Sequence, residues 1–115
     1  MSRHAVIAML LTACSANAAP PDSCDYVASA SGCQEFVSGR TLEQEQTLCA
    51  DLGGTFAAAT RCPAGNRVGR CTEIVNGSTT IEAFYPPNWD TNGASTACTT
   101  THMMYPNITT SFQAN

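Results

Sequence analysis

The sequence predicts a small disulfide-linked α+β domain, one helix packed on a three- or four-stranded, mainly antiparallel sheet. Three observations predict it. Six of the seven cysteines, Cys24, Cys33, Cys49, Cys62, Cys71 and Cys98, lie in the body of a chain of only 115 residues. An even set of cysteines in a domain too small for a large apolar core points to three cross-links. Thr41-Leu42-Glu43-Gln44 has the pattern of a capping box and opens a helix. Asn76-Gly77, between two β-prone runs, marks a hairpin, because a type I′ turn needs positive φ at both central positions.

Each element follows from local chemistry. Cys33 to Ser38 is β-prone and stops at Gly39, giving a first strand. The helix from Thr41 carries Glu43 and Glu45 in the turn where the helix dipole favours acids. Leu42, Cys49 and Leu52 share one face of it, and Gly53-Gly54 ends it. Thr55-Phe56-Ala57 forms a short return strand. Val68 to Val75 and Ser78 to Tyr85 form the hairpin. Pairing Val75 with Ser78 puts Val68, Ile74, Ile81, Ala83 and Tyr85 on one face and Cys71 and Phe84 on the other. Two apolar faces require either cover on both sides, by the helix and the C-terminal segment, or a longer loop with a shifted register. Pro86-Pro87 ends the second strand. Thr91 to Cys98 reads as a short helix, Thr101 to Tyr105 as a last edge strand, and 106–115 as a flexible tail. A faint repeat sets Cys33-x-Glu35 against Cys71-x-Glu73 and Cys49 against Cys98.

Six cysteines allow fifteen connectivities. Spacing alone does not choose among them; the set taken as the expectation pairs Cys49 with Cys62, Cys33 with Cys71 and Cys24 with Cys98. The first pair rests on the Gly-Gly reversal and the short strand after it. Zinc is the rival use of cysteine, but the nearest spacing, Cys62 to Cys71, is far wider than the close pairs zinc sites use. No metal site is expected.

At the N-terminus, Arg3 and His4 precede the apolar run Ala5 to Leu11, as in a secretory signal. The run is too short to span a membrane, which takes roughly 20 apolar residues. Leu11-Thr12-Ala13-Cys14 resembles the bacterial lipobox. That resemblance implies a signal peptide over 1–13 and a lipidated Cys14 as the first mature residue. It implies a tether over 14–23, a cysteine-rich domain over 24–105, and attachment to a membrane of the bacterial cell envelope through the lipid. Ordinary cleavage after Ala16-Asn17-Ala18 is the competing reading, and it leaves a freely secreted product. A third reading, Cys14 as a disulfide partner, leaves another thiol unmatched.

The run Cys49-Ala50-Asp51-Leu52-Gly53-Gly54-Thr55-Phe56 is followed by Cys62-Pro63, Arg67-Val68-Gly69-Arg70-Cys71 and Phe84-Tyr85-Pro86-Pro87. Over residues 33–98 this order resembles short cysteine-rich predicted lipoproteins of myxobacteria. The resemblance implies export and cross-linking and supplies neither an activity nor site residues. Where those proteins repeat a C-x-x-x-G-G-T-aromatic stretch near the end, this chain has Cys98-Thr99-Thr100-Thr101-His102.

Function classes are bounded more firmly than function. The formal charge is -4 and only 12% of residues are charged, so a nucleic-acid partner, bound mainly through its phosphates, is not expected. After signal cleavage His102 is the only histidine, and no G-x-S-x-G surrounds a serine. Neither an enzyme nor a cofactor is expected. Arg61, Arg67 and Arg70 form the basic cluster. Arg67 and Arg70 beside Gly69 are candidate contacts for an anionic ligand, against the simpler reading of solvated arginines. Trp89, with Tyr85 and Tyr105, is a candidate platform for a sugar or peptide, against the simpler reading of packing residues. A protein or glycan partner stays unspecified. Asn76-Gly77-Ser78 and Asn107-Ile108-Thr109 match the N-glycosylation pattern, which matters only in a eukaryotic host.

Overall fold

The computed structural model describes residues 19–115; the expected signal segment 1–13, Cys14 and the alternative site Ala16-Asn17-Ala18 lie outside them. The strands are β1 (Asp22–Tyr26), β2 (Gly32–Ser38), β3 (Thr55–Ala57), β4 (Gly69–Val75), β5 (Ser78–Phe84) and β6 (Thr109–Ala114). The helices are α1 (Val27–Ala30), a single turn, α2 (Leu42–Asp51) and α3 (Thr91–Met104). All strand pairs are antiparallel and the order across the sheet is β3-β1-β2-β5-β4-β6. The expected α+β class holds. The sheet has six strands where three or four were expected, and two full helices where one was.

The register gives the molecule an internal two-fold. Reading across the six strands, Phe56 stands opposite Cys24, Cys24 opposite Gln34, Gln34 opposite Glu82, Glu82 opposite Cys71, and Cys71 opposite Phe112. The row reads alike from either end except at its centre, where Gln34 of one half answers Glu82 of the other. Each half is a hairpin, then a helix, then a strand that returns to the outer edge of the hairpin's first strand. Side chains in one row share a face, because alternate residues of a strand point to opposite sides. Cys24 bonds to Cys49 in α2, and Cys71 bonds to Cys98 in α3. Both helices therefore cover the same face, one over each flank of the sheet. The third bridge, Cys33–Cys62, draws the loop before β4 onto the opposite face.

These three bridges replace every expected pair. The Gly53-Gly54 reversal does turn the chain back, with Gly53 at φ +70°, but it lays β3 beside β1 and not beside a later strand. That brings Cys49 to Cys24. A Cβ on Gly54 would strike the Cys24 sulfur, so a glycine is required where the chain passes the bridge. The repeat is real but aligned differently: Cys24, not Cys33, is the counterpart of Cys71.

Local signals otherwise act as read. Thr41 accepts from the Gln44 backbone N–H at 3.2 Å, and the Gln44 side chain accepts from the Thr41 N–H at 2.9 Å. Asn76 and Gly77 take φ of 50° and 79°, and Val75 pairs with Ser78. The hairpin keeps its two-residue loop; α3 covers one face, and the loop before β4 covers the other at its Ala83 end. Phe84 and Cys71 pack under α3 with Ala94 and Cys98, while Ala83 and Tyr85 pack with Cys33 and Cys62 beneath the loop. Each core cluster thus surrounds one disulfide, the first holding Cys24, Tyr26, Phe36 and Cys49.

Five expectations are corrected. In α2 the buried residues are Glu45 and Cys49, while Leu42 and Leu52 are exposed. Ile74, expected on a core face, is exposed as well. The stretch Thr101 to Tyr105 is not an edge strand. Asp90 caps α3 by accepting from the Gly93 N–H at 2.7 Å, and the helix runs on to Met104 because Ala94 and Cys98 bury one face. The 106–115 segment is not a loose tail: β6 pairs with β4 from Thr109 to Ala114. At the other end, β1 starts at Asp22, inside the expected tether.

Candidate functional site

Helices α2 and α3 cover the flanks of one sheet face, and the central strands β2 and β5 floor a polar trough between them. Its residues come from rows beside the two-fold. Gly32 lies opposite Tyr26, and a Cβ there would strike the Tyr26 ring. Without it, the ring lies across β2 and its hydroxyl donates to Glu82 Oε2 at 3.3 Å. Gln34 sits beside Glu82 on the central row, and Glu73 faces Thr80 one row away. Arg40, just past the end of β2, donates from Nη1 to the Thr80 hydroxyl.

Electrostatics follow from this placement. Burial, followed by the neighbouring Glu82 carboxylate, pushes Glu73 up to about 7, with the Arg40 charge opposing. Burial also raises Glu82, and the Tyr26 hydrogen bond partly offsets it. Tyr26 is raised in turn, by burial and then by the Glu82 charge. On the α2 side, burial and the adjacent Asp22 carboxylate push Glu45 up to about 7. Asp22 is lowered, chiefly by the Ala59 backbone N–H, which donates to it at 2.8 Å. Arg40 acts on both Glu45 and Glu73. The trough can hold and release protons near neutrality and offers carboxyl, phenol and amide groups to a polar ligand. An open cavity of about 470 Å³ adjoins it, bounded by Arg40, Gln44, Leu48 and Ser78.

The residues singled out from the sequence lie elsewhere and do not converge. Arg67 donates to the Asn115 side chain and Arg70 to the Gln113 side chain, each at 2.9 Å. Arg70 ties β4 to β6, and Arg67, just before β4, ties to the residue just after β6. Arg61 pairs with buried Glu35 at 3.7 Å, beside the Cys62 N–H that donates to Glu35 at 2.8 Å. Trp89 packs edge-on against Phe84, with ring centroids 4.9 Å apart. Tyr85 is buried and donates to the Pro63 carbonyl at 2.5 Å, while Tyr105 is exposed. His102 Nδ1 lies 2.6 Å from the Ile108 carbonyl on the surface. Among the described residues no group of three or more His, Cys, Asp or Glu is arranged to hold a metal ion, and the six cysteines are spent in bridges.

Sequence reasoning missed the trough because its residues are brought together only by register. One signal was present: Cys24-x-Tyr26 and Cys71-x-Glu73 occupy matching places in the two halves. The chain matches no protein-family model, and no curated protein or solved structure is similar to it.

Proposed function

We propose that the chain is a non-enzymatic protein of a bacterial cell envelope, exported and held to a membrane by lipid on Cys14, with a structural or interaction role. The observation that carries the reading is the set of three bridges, each with both sulfurs buried. Such a framework forms and persists in oxidising compartments outside the cytoplasm. The described helices include none long and apolar enough to cross a membrane; the anchor in this proposal rests on the lipobox-like run Leu11-Thr12-Ala13-Cys14. Several acyl chains on one residue hold more firmly than a single chain, since each buried CH₂ contributes about 0.8 kcal/mol. The surface position of His102, spent on a backbone carbonyl, favours a non-enzymatic role over hydrolysis. The trough of Tyr26, Glu73 and Glu82 is the face we assign to a polar partner.

Intact-mass analysis of native material, with and without reductant, tests the proposal. The expected result is a chain beginning at Cys14 and carrying acyl mass, with six sulfurs resistant to alkylation until reduced. A chain beginning at Ala19 without lipid overturns the anchored reading in favour of a freely secreted module.

A further inference from the structure

We infer that β6 is a self-association edge and that two copies of the chain join through it, antiparallel and centred on Phe112, into one continuous sheet. Asn115 donates its backbone N–H to the Val68 carbonyl at 3.2 Å. By alternation along an antiparallel pair, Thr109, Ser111 and Gln113 also direct their N–H and C=O groups at β4. Thr110, Phe112 and Ala114 direct theirs outward, three donors and three acceptors on an open edge.

Natural edge strands are blunted by charge, proline, bulges or shortness. β6 has none of these. Its sequence, Thr-Thr-Ser-Phe-Gln-Ala, is uncharged, and its register against β4 runs unbroken over all six residues. The opposite edge, β3, is only three residues long. α3 lies over one face of β6, where Thr110 and Phe112 are half-buried, and the other face, with Thr109, Ser111 and Gln113, is exposed.

The outward groups of β6 are self-complementary, so a second copy of the same strand fits this edge. With Phe112 opposite Phe112 of the second copy, Thr110 falls opposite Ala114 and Ala114 opposite Thr110. Every outward N–H then meets an outward C=O, which closes six hydrogen bonds. Ser111 falls opposite Gln113, so no pair sets like charges against each other. The two-fold of such a pair stands normal to the sheet and keeps both helical faces on the same side. The contact is isologous and closes at two copies.

The test uses the full mature chain. Sedimentation velocity in density-matched detergent, over a concentration series, is expected to show a monomer–dimer equilibrium. Residue-resolved amide exchange is expected to slow at Thr110, Phe112 and Ala114 as the dimer fills, while Ser111 and Gln113, already bonded to β4, change little. Ala114→Pro removes an outward donor without touching the β4 ladder, a placement edge strands tolerate, and should weaken dimerisation at least tenfold. A chain that stays monomeric at millimolar concentration overturns the proposal. So does a dimer in which those three amides still exchange fast, or a folded Ala114→Pro variant that dimerises as before. Exchange in the natural sequence decides the matter if the variant does not fold.

Discussion

The Tyr26 hydroxyl reaches over β2 to the Glu82 carboxylate, 3.3 Å away, through the space that Gly32 leaves empty. A phenol from one half of the molecule thereby reaches a carboxylate of the other beside the internal two-fold. The same hydrogen bond favours the charged form of a half-buried carboxyl that burial otherwise raises.

Stability should fall as pH rises from 5 to 8. Glu45 and Glu73 lie near 7 in the fold against 4.5 for an ordinary glutamate, and Glu82 is raised too. A raised carboxyl binds its proton more tightly when folded. Its contribution is whole below the unfolded value and is lost as pH climbs through the folded one. The thermal midpoint should drop by about 5 to 10 °C across that range, and Glu73→Gln should flatten the profile. Asp22, lowered in the fold, acts in the opposite sense below pH 4. A midpoint that climbs between pH 5 and 8 would contradict the assignment.

Peptide mapping without reduction should recover Cys24 with Cys49, Cys33 with Cys62 and Cys71 with Cys98. The bridges span 25, 29 and 27 residues, and chain-entropy loss in the unfolded state then gives about 3.5 kcal/mol for each. Replacing Cys71 and Cys98 together by alanine should lower unfolding free energy in urea by that order.

Gly69 lies under the Phe112 ring, which a Cβ would strike. Gly69→Ala should cost about 1 to 3 kcal/mol through overpacking, and it should loosen β6 first. Faster amide exchange across Thr109 to Ala114 is the measurement; an unchanged pattern would remove Phe112 as the cause.

Glu35 and Arg61 should prove unequal partners. Glu35 is buried and accepts the Cys62 N–H, whereas the Arg61 side chain is 62% exposed. Glu35→Ala strands that N–H and should cost about 1 to 3 kcal/mol. Arg61→Ala leaves that hydrogen bond in place and removes a long ion pair from a largely exposed side chain, so it should cost less than about 1 kcal/mol. Paired denaturant titrations would show the difference.

What was legible in the sequence was local. The capping box at Thr41, the stop at Gly53 and the turn at Asn76-Gly77 each depend on a few neighbouring residues, and each forms as read. The bridges were not legible, because they depend on which edge of the hairpin a returning strand joins. The Gly-Gly reversal is compatible with several answers. The threonine run after Cys98 has strand propensity, yet it continues a helix already anchored through Ala94, Cys98 and the Asp90 cap. β6 escaped notice because Thr-Thr-Ser-Phe-Gln-Ala, with a single large apolar residue, carries little periodicity. The trough escaped for the same reason as the bridges: Tyr26 and Glu82 are 56 positions apart, and only the β1–β2–β5 register makes them neighbours.

The layout of the bridges decides what one backbone cut would do. Cys24–Cys49 and Cys33–Cys62 both close before Pro63, and Cys71–Cys98 opens after Arg70. A protease nicking the exposed stretch at Gly65-Asn66 would leave two fully oxidised fragments with no covalent bond between them. They would stay associated through the β2–β5 ladder across the middle of the sheet, the Tyr26–Glu82 hydrogen bond and the cluster of Cys33, Cys62, Ala83 and Tyr85.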